Sequence, residues 1–251
     1  MTFADWATDT RHRIASDPLP TALADSAREF YCGAVARYYA DSNGPYRTEI
    51  AGVSARFRTE TPTDVKRARD LNGEAAVAEF LFGDGIEDRV FWDVGGYHGH
   101  YSVLAACAGA TVVTFEPDTL NRRRIATNAD LNDVDLDVRP VALSDTVGEA
   151  AWGGECGSEL AVGEGAETVE TIRGDQLDRA PDIVKVDVEG HEAAVLDGMG
   201  AALRLVERIA VEVHEGRGVD RDAIAARLRD AGLSVVELDT GRSQPHLGGI
   251  R

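Results

Sequence analysis

The sequence predicts an α/β fold: a mostly parallel sheet covered by helices on both faces, preceded by N-terminal helices and a small hairpin. Three observations lead there. Short apolar runs of strand length recur from residue 90 onward, segments of helical period separate them, and the first 72 residues follow a different pattern. The 251 residues suffice for one large core. We expect an accessory region over 1–72 and a ligand-binding domain over 73–251.

Residues 20–40 place Leu23, Ala27, Phe30, Tyr31, Ala34, Val35 and Tyr38 at spacings of three and four, the period of an amphipathic helix, which Asn43-Gly44-Pro45 stops. Residues 46–60 change to alternation, with Ile50, Val53, Ala55 and Phe57 separated by polar residues. Ala51-Gly52 can turn that segment into a hairpin. Helical period returns over 63–82. Strands are then expected at 90–94, 111–115, 137–141, 183–187, 209–213 and 233–238, and helices at 101–108, 117–129, 192–205 and 220–231. Pro117 opens one of these helices, where its missing amide costs nothing. Residues 146–167, rich in Gly and Glu, read as a long loop facing a substrate.

The net charge of −18 is carried against very little lysine, since Lys66 and Lys185 are the only two. Such a carboxylate-dense surface fits solubility in concentrated salt, where screening tolerates self-repulsion. It argues against nucleic acid as a partner, because phosphate binding draws on basic clusters. Cys32, Cys107 and Cys156 form no CxxC pair and no zinc spacing. No apolar stretch reaches membrane-spanning length, and residues 1–20 lack the pattern of an export signal, so we expect a cytoplasmic protein.

In a sheet of this kind ligands gather outside the carboxyl ends of the strands. Asp93, Glu116, Asp187 with Glu189, and Glu212 with His214 all fall at such ends. Gly95, Gly96 and Gly99 lie between a strand and a helix, where a tight turn brings backbone amides to a ligand. The run Gly95-Gly96-Tyr97-His98-Gly99-His100 misses the dinucleotide spacing at its third and sixth places, yet Glu116 stands where a ribose-binding carboxylate belongs. Asp93 beneath the turn would repel a pyrophosphate but could pair with the cationic amino group of a methionine moiety. That inclines the reading from NAD toward S-adenosyl-L-methionine. Glu116 would accept the two ribose hydroxyls, Asp145 the adenine amine, and Leu143 would pack on the ring.

The stretches Phe91-Trp92-Asp93-Val94-Gly95-Gly96-Tyr97-His98-Gly99, Phe115-Glu116-Pro117, Val141-Ala142-Leu143-Ser144-Asp145, Lys185-Val186-Asp187-Val188-Glu189-Gly190-His191-Glu192 and Val211-Glu212-Val213 together resemble the FkbM-type methyltransferases. The resemblance runs over about residues 74–215. It implies a Rossmann-like enzyme that uses S-adenosyl-L-methionine, mostly to methylate hydroxyl oxygens of sugars and natural products. It also implies that Asp93, Gly95 and Gly99 belong to the first cofactor motif, Glu116 to the second and Asp145 to the adenine side, with 187–190 the signature after the fourth strand. Tyr97 departs from the asparagine common there. The full expected cofactor set is Asp93, Gly95, Gly96, Tyr97, Gly99, Glu116, Pro117, Leu143, Asp145 and Asp187.

Methyl transfer from a sulfonium is an in-line displacement, so an oxygen nucleophile must be aligned and relieved of its proton. His191, His214 and Asp187 are the candidate bases. Asp187, Glu189, His191, Glu212 and His214 could together hold a hard divalent cation, although no metal is assigned. His98 and His100 read as shape or substrate contacts. The expected partner is a small-molecule hydroxyl acceptor, a sugar or uronic acid among the choices. The rival readings are an RNA methyltransferase, an NAD-dependent oxidoreductase and a non-enzymatic binding protein. The first wants a basic channel, and the nearest basic run is only Arg122-Arg123-Arg124.

Overall fold

The structure, a computed structural model, describes residues 21–42, 44–152 and 167–251. Residues 1–20, Asn43 and Cys156, on which some expectations fell, lie outside the described residues. Helix α1 (Thr21–Ser42) leads into the hairpin β1 (Tyr46–Ile50) and β2 (Val53–Phe57). Its turn is Ala51-Gly52, with φ of 50° and 75°, the positive pair that a two-residue hairpin loop needs. Helices α2 (Pro62–Asp70) and α3 (Ala75–Phe82) follow. The continuous helix expected over 63–82 is therefore broken. Leu71 and Asn72 take positive φ, and Asp70 accepts from the Gly73 amide at 3.1 Å, which fixes a short 3-10 turn between the two helices. A capping box starts α2: Thr61 accepts from the Asp64 amide while Asp64 accepts from that of Thr61.

The remaining elements are β3 (Val90–Val94), α4 (His100–Cys107), β4 (Thr111–Phe115), α5 (Thr119–Asn132), β5 (Asp137–Arg139), β6 (Ala142–Leu143), β7 (Gly148–Trp152), β8 (Glu167–Ile172), β9 (Ile183–Val186), α6 (Glu192–Leu203), β10 (Arg208–Glu212), α7 (Arg221–Asp230), β11 (Ser234–Leu238) and β12 (His246–Ile250). Seven strands form one sheet in the order β11-β12-β10-β9-β3-β4-β5. Only β12 runs against its neighbours; the pairs β10–β9, β9–β3, β3–β4 and β4–β5 are all parallel. The chain winds outward from β3 to β4 and β5, then returns to place β9 on the other side. The order thus reverses between β3 and β9, the place where such sheets open a crevice beyond their carboxyl ends.

Two features differ from expectation. The third strand is shorter, because Pro140 lacks an amide donor and the chain leaves the main sheet after Arg139. Part of the expected loop over 146–167 is strand, since β7 pairs antiparallel with β8 and β6 joins β8 in a separate small sheet.

Both faces of the main sheet are buried. Along β3, Phe91 joins an apolar cluster with Phe57, Val65, Leu81 and Leu104, while Trp92 joins one with Met199, Val195 and Ile224. That alternation between two dry faces is what a helix-covered parallel sheet requires. The first cluster is continuous from α1 and the hairpin into the sheet. Two asparagines of α5 complete the docking: Asn128 accepts from the Arg58 amide at 2.9 Å, and Asn132 accepts from the Arg56 amide at 2.8 Å and donates to its carbonyl at 2.7 Å.

Candidate active site

A cavity of about 290 Å³ opens at the β3–β9 reversal. Of the residues expected there, Gly95, Tyr97, Glu116, Pro117, Leu143, Asp187 and His191 line it. Gly95 has φ of 86°, and a Cβ at that position would lie 1.8 Å from the Asp187 carbonyl oxygen. Only glycine lets the turn after β3 press against the end of β9. Tyr97 also sits at positive φ, 48°, a conformation that asparagine accepts more readily than tyrosine. Its ring stacks on His98 at 3.8 Å between centroids and carries the Arg67 guanidinium 4.5 Å away.

Glu116 is buried at 3% exposure. Its two oxygens accept the Tyr97 amide at 2.7 Å and the Asp118 amide at 2.8 Å, which fixes the carboxylate at the cavity wall. Burial pushes its carboxyl up to about 7 against the pull of those amides. The Asn121 side chain also bonds this carboxylate, which keeps acceptor capacity for a further donor.

Asp93 does not meet the cavity as expected. It is 1% exposed, its Oδ2 accepts from the Ser102 amide at 3.1 Å and the Ser102 hydroxyl at 2.5 Å, and burial raises its carboxyl. It anchors the first turn of α4 behind the glycine loop. Gly96 and Gly99 are likewise buried in the loop's inner side. Asp145 is exposed at the rim, where its carbonyl accepts from Arg173 at 2.6 Å.

Beyond β9 the charges interlock. Lys185, buried under the Tyr101 ring, donates to Asp187 Oδ2 at 3.0 Å. Burial alone would raise the Asp187 carboxyl, but Lys185 and His214 hold it at about 2. His214 is 1% exposed, with Nδ1 2.6 Å from Glu192 and Nε2 3.3 Å from Glu189 and 3.8 Å from Asp187. Burial opposes its protonation, yet those three carboxylates outweigh burial and raise it. The imidazole is thus enclosed by carboxylates on both ring nitrogens. His191 departs in the opposite direction: burial lowers it, and its Nε2 lies 3.0 Å from the Ser144 hydroxyl, on the side of the cavity formed by β6. Glu192 accepts the loop amide of Gly190 at 3.0 Å.

The five residues weighed for a cation do not all converge. Asp187, Glu212 and His214 bring ligand atoms within 4.8 Å of one another, as do Glu74, Glu212 and His246, whereas His191 belongs to the Ser144 side. Lys185 and Arg242, the latter 3.6 Å from Glu212, already place positive charge among these carboxylates. Burial, with Asp187 nearby, pushes Glu212 up to about 8. His98 pairs with Asp64 at 3.2 Å, and His100 is a core residue, packed 4.5 Å from the Phe57 ring and driven by burial down to about 3.

Sequence reasoning missed Arg67 and Asn121, which also line the cavity. Asn121 stands one turn into α5 after the Asp118 cap, a position the Glu116-Pro117-Asp118 run could have indicated. Arg67 had no such signal, because it comes from α2, outside every recognised motif.

The sequence model of the family described as Methyltransferase FkbM domain matches residues 93–235. The hexuronic acid methyltransferase AglP of Haloferax volcanii is 33% identical over 216 residues, covering 82% of this chain and 89% of that protein. Among solved structures, the methyltransferase FkbM of Methylobacillus flagellatus KT superposes with a TM-score of 0.47 at 13% identity, covering 74% of this chain and 54% of its own. Magnesium protoporphyrin IX methyltransferase of Synechocystis PCC 6803, with bound S-adenosyl-L-methionine, gives 0.48 at 15% identity over 72% and 79%. Among the described residues no helix is long and apolar enough to cross a membrane. The family match sets aside the dehydrogenase and non-enzymatic readings, and the chain belongs to the FkbM family of S-adenosyl-L-methionine-dependent methyltransferases.

Proposed function

We propose that this enzyme methylates a hydroxyl oxygen of a sugar, with a hexuronic acid the preferred acceptor, and that Glu116 holds the cofactor's ribose. The carrying observation is the paired-acceptor geometry of Glu116 in the wall of a cavity that Gly95 leaves open. The residues fit the group. A carboxylate fixed at the cavity wall with acceptor capacity to spare suits a diol, Pro117 and Leu143 offer apolar surface for a flat base, and the Gly95 turn and Asp187 meet in one wall of the cavity. The acceptor is taken from the 33% identical relative AglP, a hexuronic acid methyltransferase.

The bound cofactor supplies an electrophilic methyl carbon. Asp187, rather than Asp93, is the carboxylate open to that end of the cavity, and it is ionised at neutral pH. So low a carboxyl is a weak base toward a neutral alcohol. It suffices once the oxygen begins to bond carbon, because the hydroxyl then becomes strongly acidic. Asp187 therefore orients the hydroxyl and receives its proton late, while Lys185 and His214 fix the carboxylate from behind. His191 shapes the β6 side together with Ser144, and Asp93, Gly96 and Gly99 build the loop that carries Gly95 and Tyr97.

Incubation with S-adenosyl-L-methionine and a panel of uronic acid and neutral hexose glycosides, followed by mass spectrometry, tests the reading. A methyl ether on a uronic acid, lost in Asp187→Asn with cofactor affinity retained, is the expected result. Tight binding of S-adenosylhomocysteine with no methylated sugar across the panel would overturn the acceptor assignment and leave the cofactor assignment standing.

A further inference from the structure

Arg67 reaches the catalytic cavity from the accessory region, outside the span that the family model matches. It lines the main cavity and also a small adjoining recess shared with Tyr97, Tyr101, Lys185 and Asp187. Its guanidinium lies over the Tyr97 ring, and its Nε is buried with no hydrogen-bond partner. No carboxylate lies within ion-pair distance of it among the described residues. Most arginines at comparable depth are engaged: Arg69 with Asp70, Arg173 with Asp175, Arg208 with Asp84 and Arg242 with Glu74. Asp187, which shares both spaces, feels the Arg67 charge without pairing to it, so the guanidinium faces the cavity with no direct carboxylate partner in a chain of net charge −18.

A buried donor without a partner costs free energy comparable to a lost hydrogen bond, and a partner arriving with the substrate removes that cost. The guanidinium fork matches one ligand group above others, a planar carboxylate that takes two parallel N–H bonds. We propose that Arg67 is the specificity residue of this enzyme, binding the carboxylate of a uronic acid acceptor and discriminating against neutral hexoses. The inference rests on the acceptor reading above. Two observations favour the acceptor's carboxylate over that of the cofactor's methionine. Arg67 belongs to a segment outside the shared cofactor motifs, and it opens toward Asp187, the residue assigned to align the reacting hydroxyl. The cation also offsets the repulsion that a uronate would meet from Asp187 and Glu189, both of which line the cavity.

The test measures binding of D-glucuronate, D-galacturonate and D-glucose to the complex of the full chain with S-adenosylhomocysteine, for wild type, Arg67→Gln and Arg67→Lys. Wild type is expected to bind a uronate about tenfold or more tightly than glucose. Arg67→Gln loses that preference while its affinity for S-adenosylhomocysteine and for glucose is unchanged, and Arg67→Lys retains a part through its charge. Unchanged cofactor affinity also shows that the variants are folded. A loss confined to S-adenosylhomocysteine affinity in Arg67→Gln would overturn the proposal and give the carboxylate to the cofactor. Equal binding of uronate and glucose by wild type would overturn it as well, without touching the assignment of the cofactor site.

Discussion

Acidification should weaken cofactor binding by way of a single carboxyl group. Glu116 is pushed up to about 7 from its ordinary 4.5, burial being the main cause. A ribose diol donates to both of its oxygens, so the bound state needs the ionised form. Below about pH 7 the free protein must release a proton to bind, and affinity falls about tenfold per pH unit. From about pH 8 to about pH 5 the expected loss is near a hundredfold, all of it in the lower part of the range. The same displacement carries a stability consequence. A folded-state value above the unfolded one means that the native chain holds this proton more tightly, so Glu116 increasingly disfavours the fold as pH rises from about 4.5 to about 7. At about 1.4 kcal/mol per unit the ceiling is about 3 kcal/mol in the unliganded protein. Calorimetric titration with S-adenosylhomocysteine in buffers of different ionisation enthalpy reads both affinity and proton release. Glu116→Gln should bind more weakly and show a flatter profile. A wild-type affinity constant across this range, or a Glu116→Gln profile as steep as that of wild type, would refute the assignment of Glu116 to the ribose.

Two other outcomes follow from packing and charge. Gly95→Ala should abolish S-adenosylhomocysteine binding and cost upwards of about 3 kcal/mol in denaturant unfolding, because the added carbon meets the Asp187 carbonyl at 1.8 Å. Gly52→Ala, also at positive φ but with nothing within 4 Å, should cost only about 1 kcal/mol. Lys185→Met should destabilise by about 3–5 kcal/mol near neutral pH, since it leaves Asp93 and Asp187 buried without their cation. The deficit should shrink on acidification as those carboxyls take up protons, and a deficit independent of pH would count against the charge argument.

The sequence conveyed elements whose local pattern and tertiary setting agree. Val90–Val94 and Thr111–Phe115 are continuous apolar runs buried on both sides, and they stand where the pattern places them. The strand His246–Ile250 escaped notice because glycines interrupt it. Those glycines are selected by neighbours remote in sequence: a Cβ at Gly248 would lie 2.9 Å from Phe80, and one at Gly249 2.9 Å from Ile209. Similarly, the break at Leu71–Gly73 is set by the Asp70 bond and by left-handed backbone at Leu71, a residue that seldom takes it. At the site, the glycine turn, Glu116 and Asp187 were legible because each stands at a strand end within a recognisable run. Asp93 and His214 stand at such ends too, but whether a side chain points into the cavity or behind it depends on the partners Ser102 and Glu192, which lie on other elements. Arg67 was illegible for the same reason, since only the docking of α2 against the sheet brings it to the cavity.

The hairpin next to α2 is held by Asn128 and Asn132, which grip the peptide groups of Arg56 and Arg58 and not their side chains. A clasp of this kind is indifferent to which residues the hairpin displays outward. Helix α2, which delivers Arg67, is seated instead by its own side chains, with Val65 and Ala68 in the core and Asp64 against His98. The outward positions of the hairpin are thus free to vary, whereas a change on the buried side of α2 disturbs its packing and the placement of Arg67 at the cavity together.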